Sequence, residues 1–441
     1  MKILFVYPRF RKFLDDLSPE DRSFFEPILG GFKTPPSLGI PILAALTPSR
    51  HHVELLDDNL GESVRFDTDA DLVAINCFTP QATRAFELAD GFRAAGKRVI
   101  MGGIFPSAMP DEVLEHADAV NIGEGEPTWR GILEDAERGE LKRRYLGGKG
   151  FDLASMPIPD RSLFYAKAGY DWHSALVQIA RGCGYNCAMC VIPEHFGHRI
   201  RFRPIADIVE EIRALPYDQI YLADDTLFLT DRRSVQYATD LFAALAPLKK
   251  RLFLSSTLAL NTDLEFLKLA RTAGTETFYC TLNVDPVSMR AIYPETQTHR
   301  RRLIDLVHAI KDLGIHFYAS FGIGRDWDDA SITERILELS VQAGIDIAEF
   351  FIFSPFPGSV QFQRMNSQKR LLHRRWELYN GANVVYLPLK MDPDVLQDVF
   401  MRTWREFYRI NRRDWVLERM GKHTSKSPHP DHDVPGGLTP R

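Results

Sequence analysis

Residues 175–190 read ALVQIARGCGYNCAMC. The first six form a short apolar run of strand type, and the next ten place Cys183, Cys187 and Cys190 on one tight loop directly after it. Three thiolates at that spacing can converge on one small inorganic centre. A four-iron cubane held by three cysteines keeps one iron open, and chemistry at a cluster needs that opening, because a cofactor or substrate must reach the metal. A structural zinc site wants a fourth protein ligand. His195 and His198 are near enough in sequence to supply it, whereas Cys77 and Cys280 fall in other segments. Inert thiols are the remaining alternative.

Downstream, strand patterns recur at residues 219–223, 252–257, 277–282, 316–322 and 347–353. Helical stretches separate them at 204–215, 231–245, 262–273, 301–313 and 330–343. With 175–180 this makes six strand–helix units in about 190 residues, too few for an eightfold barrel, so a partial six-stranded barrel is expected. Its catalytic groups should lie at the C-terminal ends of the strands. Upstream, near-continuous apolar strands at 2–7, 53–57, 72–76, 98–101 and 119–122 alternate with helical stretches, among them 38–47, 82–95 and 128–138. Five such units predict a parallel sheet covered on both faces, a doubly wound flavodoxin-like α/β domain.

The expected organisation is therefore a first domain over 1–146, a Gly- and Pro-rich linker over 147–170 and the partial barrel over 171–360. A helical, aromatic region over 361–421 and a disordered tail over 422–441 follow. Hydrophobic residues make up 45% of the 441 positions and charged residues 26%, ordinary for a globular protein. A net charge of −5 gives no electrostatic reason to expect nucleic acid as a partner. Basic runs such as Arg300–Arg301–Arg302 read as solvated helix faces. The first apolar run is ended at once by Arg9, Arg11 and Lys12, unlike a signal peptide, and no window is long enough for a transmembrane helix. A cytoplasmic location is expected, and the reduced compartment suits an oxygen-labile cluster.

The C-x-x-x-C-x-x-C motif after the first strand of a (β/α) repeat resembles that of the radical S-adenosylmethionine (SAM) superfamily. The resemblance implies a [4Fe–4S] cluster on Cys183, Cys187 and Cys190. It implies that SAM chelates the open iron and that one electron from the cluster breaks a carbon–sulfur bond to release a carbon radical. It also implies SAM contacts from Met189 beside the last cysteine and from Asp224, Asp225 and Thr226 at the end of the second strand. Ser255 at the end of the third, Asn283 after the fourth and Arg325 after the fifth complete the set. For Asp224 and Asp225 helix N-capping is the alternative, and for Arg325 a surface ion pair. Phe353-Ser354-Pro355-Phe356-Pro357-Gly358 resembles the PFPGT turn of the cobalamin-type branch, with Ser359 in the Thr place. Asn283 stands where that branch commonly carries a glutamate, which bears on which carbon–sulfur bond breaks. Cys280 reads as a packing residue.

The first domain resembles the cobalamin-binding domain joined to many radical SAM enzymes. The resemblance assigns Ser37, Leu38, Gly39, Thr79, Gly102, Gly103, Gly123, Glu124, Gly125 and Glu126 to cobalamin. The D-x-H-x-x-G motif that supplies a histidine to cobalt is absent; Pro8-Arg9-Phe10-Arg11-Lys12-Phe13 follows the first strand instead. The leading expectation is a cobalamin-dependent radical SAM methyltransferase acting on an unactivated carbon of a small-molecule, lipid or pigment substrate. A flavodoxin or ferredoxin would supply electrons. The alternatives are a radical SAM enzyme not using cobalamin (ring-forming, rearranging or 3-amino-3-carboxypropyl-transferring) and a non-enzymatic metal or oxygen sensor.

Overall fold

The computed structural model describes residues 1–29, 37–165, 167, 174–185, 187–222, 224, 231–255, 263–282, 292 and 297–409. The expected site residues Asp225, Thr226 and Asn283 and the expected tail lie outside the described residues.

The first sheet contains β1 (Lys2–Tyr7), β2 (His52–Asp57), β3 (Leu72–Asn76), β4 (Arg98–Gly102), β5 (Ala119–Gly123) and β6 (Arg144–Gly148). Their order is β2-β1-β3-β4-β5-β6, all parallel. Apart from the added β6, this is the flavodoxin-type order, whose switch point lies between β1 and β3. KILFVY is almost wholly buried because both faces are covered. Val6, Val73 and Met101 pack under helices Ala82–Ala94 and Pro110–His116. Phe5, Leu72 and Ile100 pack beneath helix Glu126–Arg138, where Trp129 stacks on Phe5 at 5.4 Å.

Six strands rather than the expected five complete this sheet, and β6 carries Gly147 and Gly148, which were expected to begin the linker. The segment after it is anchored too: Leu153 and Met156 pack on Ile42 of the first domain.

The second sheet contains β7 (Ser174–Val177), β10 (Gln219–Leu222), β11 (Arg251–Ser255), β12 (Thr275–Leu282), β13 (His316–Ile323) and β14 (Ile347–Ile352). Between the first two lie the short strands β8 (Ala180–Arg181) and β9 (Arg201–Phe202). All six major strands are parallel, in the order β14-β13-β12-β11-β10-β7, and no pairing joins β14 to β7 among the described residues. The sheet is thus an open, partial barrel. Along β12, Phe278, Cys280 and Leu282 are buried toward the helices, whereas Thr277, Tyr279 and Thr281 on the other face are only half-buried. One apolar cluster runs from the first domain through the barrel helices into helix Pro393–Arg409, joining the parts.

Candidate functional site

The cysteine loop is closed at its base by β8 pairing antiparallel with β9, Ala180 against Phe202 and Arg181 against Arg201. Gly182 follows at φ +85°, and a Cβ there would stand 2.4 Å from the Arg199 carbonyl oxygen, so only glycine lets the chain turn this close to the returning strand. Cys183 N–H donates to the Gly197 carbonyl at 3.3 Å and Cys190 N–H to the Cys187 carbonyl at 3.0 Å. Ile192 N–H donates to Cys190 Sγ at 3.4 Å, a contact that favours the thiolate. All three thiols are free of disulfides; Cys183 is buried, while Cys187 and Cys190 are half-buried. Among the described residues no three Cys, His, Asp or Glu side chains are grouped to hold a single metal ion. Three soft thiolate donors on one hairpin-closed loop are the donor set that a [4Fe–4S] cluster would use.

The described SAM candidates border this loop or end the barrel strands. Met189 lies half-buried between Cys187 and Cys190. Asp224 is buried, and its carboxylate accepts from Ile179 N–H at 2.9 and 3.2 Å, tying the end of β10 to the entry of the cysteine loop. Neither expected role, N-cap or ammonium ligand, describes that contact. Ser255 ends β11, half-buried, in register with Tyr279. Arg325 follows β13 with its guanidinium 4.4 Å from the Phe353 ring centre and 5.2 Å from that of Trp327. The guanidinium thus lies against two aromatic rings at the end of the strand where the SAM contact is expected.

The cobalamin candidates gather at the carboxyl edge of the first sheet. Ser37 Oγ accepts from Gly39 N–H at 3.3 Å and from Asn76 Nδ2 at 3.4 Å. Leu38 joins the apolar contact with Leu153 and Met156. Thr79 is buried at the start of the turn Thr79–Gln81. The Gly102 carbonyl accepts from Cys77 N–H at 2.9 Å. Gly103 has φ +110°, and a Cβ there would lie 2.8 Å from Asn76 Oδ1 and the Cys77 carbonyl. Gly123 N–H donates to Ser107 Oγ at 2.9 Å, and Gly125 leads into helix Glu126–Arg138 with Leu43 beside it. An edge of backbone and small residues lets a bulky ligand approach closely.

Glu124 and Glu126 behave differently, because their carboxylates point across to the barrel. Glu124, with a side chain 0% exposed, accepts from Arg181 Nη1 at 2.9 Å and from Arg201 at 3.1–3.2 Å. It also accepts from Phe151 N–H at 2.9 Å. Glu126 accepts from Arg181 Nη2 at 2.6 Å. Two carboxylates and two guanidiniums balance in charge, and the pair of domains is clamped two residues from Cys183. The sequence motif located these residues, but not this use of their side chains. His195 lies in the same nest, and burial, then the Arg181 charge, pushes its pKa down to about 4, so it stays neutral.

A second contact repeats the arrangement: a Cβ at Gly358, in the turn after β14, would stand 3.0 Å from Ala108, which ends helix Ile104–Ala108 after β4. Helix Val360–Ser367 then reaches the cysteine loop, Gln361 N–H donating to the Ala188 carbonyl at 2.6 Å. Loops that follow strand C-termini meet from both sheets. The two carboxyl edges therefore face each other with the cysteine loop at their junction. One polar group escaped the sequence reading. Glu349, in β14, accepts from Tyr279 and Tyr318 hydroxyls at 2.6 and 3.1 Å and from Ser320 at 3.0 Å. Its signal was a lone acid inside the apolar strand IAEFFI.

Comparison with known proteins agrees with this layout. Residues 33–133 match the B12 binding domain family. The chain is 26% identical to the bacteriochlorophyllide d C-8(2)-methyltransferase of Chlorobaculum tepidum over 384 residues, 84% of this chain and 85% of the relative. It is 24% identical to the hopanoid C-2 methylase of Rhodopseudomonas palustris over 77% of this chain and 66% of the relative. The B12-binding match together with likeness to these relatives over most of the chain supports the radical SAM branch that carries an N-terminal cobalamin-binding domain. Two solved structures share the fold of this chain. The cobalamin-dependent SAM radical enzyme OxsB, with aqua-cobalamin and SAM bound, superposes with a TM-score of 0.67 at 13% identity, covering 96% of this chain and 71% of OxsB. The radical SAM methyltransferase TsrM from Kitasatospora setae, with cobalamin and a [4Fe-4S] cluster bound, gives 0.61 at 15% identity, covering 83% and 78%.

Proposed function

We propose that this radical SAM protein is a cobalamin-dependent methyltransferase that acts on an unactivated carbon of a small-molecule, lipid or pigment substrate. The observation that carries the reading is the facing of the two carboxyl edges, glycine-rich on one side and thiol-bearing on the other. When bound, the cluster and SAM would supply one-electron carbon–sulfur cleavage, and cobalamin would supply methyl transfer.

The chain's own residues bind and orient. Cys183, Cys187 and Cys190 would hold the cluster through thiolates, on a loop that Gly182 and the β8–β9 stem fix in place. Met189, Ser255 and Arg325 would border SAM, with the Arg325 guanidinium available to a carboxylate. Asp224 would act through the backbone of Ile179 by holding the loop entry. Ser37, Gly39, Gly102, Gly103 and Gly123 would line cobalamin, whereas Glu124 and Glu126 fix the angle between the domains. No helix among the described residues is long and apolar enough to cross a membrane. An external one-electron donor of flavodoxin or ferredoxin type completes the proposal.

Anaerobic reconstitution with iron, sulfide, cobalamin, SAM and dithionite tests it. Retained cobalamin, with 5′-deoxyadenosine and S-adenosylhomocysteine as nucleoside products, supports methyl transfer. The absent cobalt-ligating histidine keeps a second reading in play: 5′-methylthioadenosine, or a protein that never retains cobalamin, would replace the methyltransferase by an enzyme of the other kind.

A further inference from the structure

The inner face of the barrel is built unlike a packed core. Leu176, Tyr221, Phe253, Ser255, Tyr279, Thr281, Glu349 and Phe351 are each half-buried, while their strand neighbours facing the helices are fully buried. β13 is the exception, with Tyr318 and Ser320 buried; the half-buried inner positions of the other strands border the space in which barrels of this kind bind ligands. Aromatic rings dominate the face. Tyr221 stacks on Phe253 at 4.1 Å, Tyr279 meets Tyr318 edge-on at 5.2 Å, and Phe351 meets Phe353 at 5.2 Å.

Into this apolar wall the chain sets one carboxylate, Glu349. Tyr279, Tyr318 and Ser320 all donate to it. Burial and the Glu349 charge drive both phenols well above their ordinary range, so they keep their protons and remain donors. No Lys, Arg or His of the described residues forms an ion pair with Glu349. An ionised carboxylate offers about four acceptor positions, and three are taken by neutral hydroxyls. A half-buried carboxylate held only by neutral donors has no counter-charge among these contacts, and the faces of the surrounding aromatic rings favour a cation.

We propose that Glu349 is the substrate anchor of the barrel, and that it selects a substrate with a flat apolar body and a cationic amine or ring nitrogen whose N–H reaches the fourth acceptor position. This rests on the reading of the barrel lumen as the substrate site of the proposed reaction. Tyr221 and Phe253 flank the apolar body, and Tyr279, Tyr318 and Ser320 position the carboxylate.

The test uses the full chain without cofactors and a matched pair of probes: tryptamine, and tryptophol, which carries a hydroxyl in place of the ammonium. Calorimetry and intrinsic fluorescence read binding. The wild-type chain should prefer the amine about tenfold or more, the scale of one charge-assisted hydrogen bond. Glu349→Gln should remove that preference and leave tryptophol affinity unchanged. If thermal melting shows that this variant fails to fold, Tyr279→Phe should reduce amine affinity several-fold and spare the alcohol. Equal affinity for the two probes, binding of neither, or a preference that survives both substitutions overturns the anchor. Methyl transfer is read separately from the nucleoside products of SAM, so loss of amine selection with methyl transfer intact rejects only the anchor. The converse result rejects only the reaction.

Discussion

Replacing Glu124 by Gln tests whether the facing of the two domains is held by the buried ion cluster. The substitution keeps the shape of the side chain but removes its charge, leaving Arg181 and Arg201 with Glu126 as the remaining cluster carboxylate. Breaking a buried, hydrogen-bonded pair by neutralising one partner costs about 3–5 kcal/mol, because a charge is left desolvated. Glu124 and Arg181 side chains are 0% and 5% exposed, so solvent screens little of that cost. Arg201 is 21% exposed and can relax outward, which places the expected loss near the lower end, about 3 kcal/mol. At about 1–3 kcal/mol per molar urea, the midpoint should fall by about 1–3 M. Arg181 lies two residues before Cys183, so iron retained after reconstitution should fall as well. The control is Glu194→Gln, which removes an exposed pair with Lys149 at 3.4 Å and should cost less than about 1 kcal/mol. Urea transitions of the apo chain, followed by iron analysis, make the measurement. If Glu124→Gln unfolds with the wild type and loads the same iron, the clamp does not set the domain geometry and the facing edges need another cause.

Three further outcomes follow from the loop and its surroundings. Alanine at Cys183, Cys187 or Cys190 should abolish the brown cluster absorbance and all SAM cleavage, while Cys280→Ala, buried toward the helices, should retain both; iron and nucleoside assays decide. Gly182→Ala must place a Cβ 2.4 Å from the Arg199 carbonyl at φ +85°, so it should cost about 2 kcal/mol or more and lower iron content, read by melting and iron analysis. His195 has a native pKa near 4 against an unfolded value near 6.5. Between those values the unfolded chain binds the extra proton, so its contribution is complete above pH 6.5 and is lost as pH falls toward 4. His195→Leu should flatten that part of the stability profile of the apo chain, by an amount on the order of 3 kcal/mol.

What the sequence made legible divides along a physical line. The strands of the first sheet that were read were placed within a residue or two of their ends because burial on both faces writes a continuous apolar run, as in LVAIN and KILFVY, whereas the strand read over 175–180 ends at Val177. The cysteine loop stood out because its signal is local, three cysteines within eight positions. β6 was not read as a strand, and its last two residues were placed in the linker, because RYLGG is an edge strand: Leu146 is 76% exposed and two of its five residues are glycine, so no apolar run marks it. Helix Pro19–Leu29 escaped for a related reason, with Pro27 inside it and only Phe25 and Ile28 buried. The side-chain partnerships were not legible at all. Glu124 and Arg181 stand 57 positions apart, and Glu349 takes its donors from 70, 31 and 29 positions away. Such pairs carry no periodicity; each partner alone looks like an ordinary charged or aromatic residue. Gly123-Glu124-Gly125-Glu126 shows the consequence. The motif lies at the carboxyl edge of the sheet, yet its carboxylates face the barrel, because a buried charge must find its counter-charge and the nearest one lies on the other domain. A local motif can thus place residues at a sheet edge while their side-chain partners are set by a segment distant in sequence, and here that segment borders the cysteine loop.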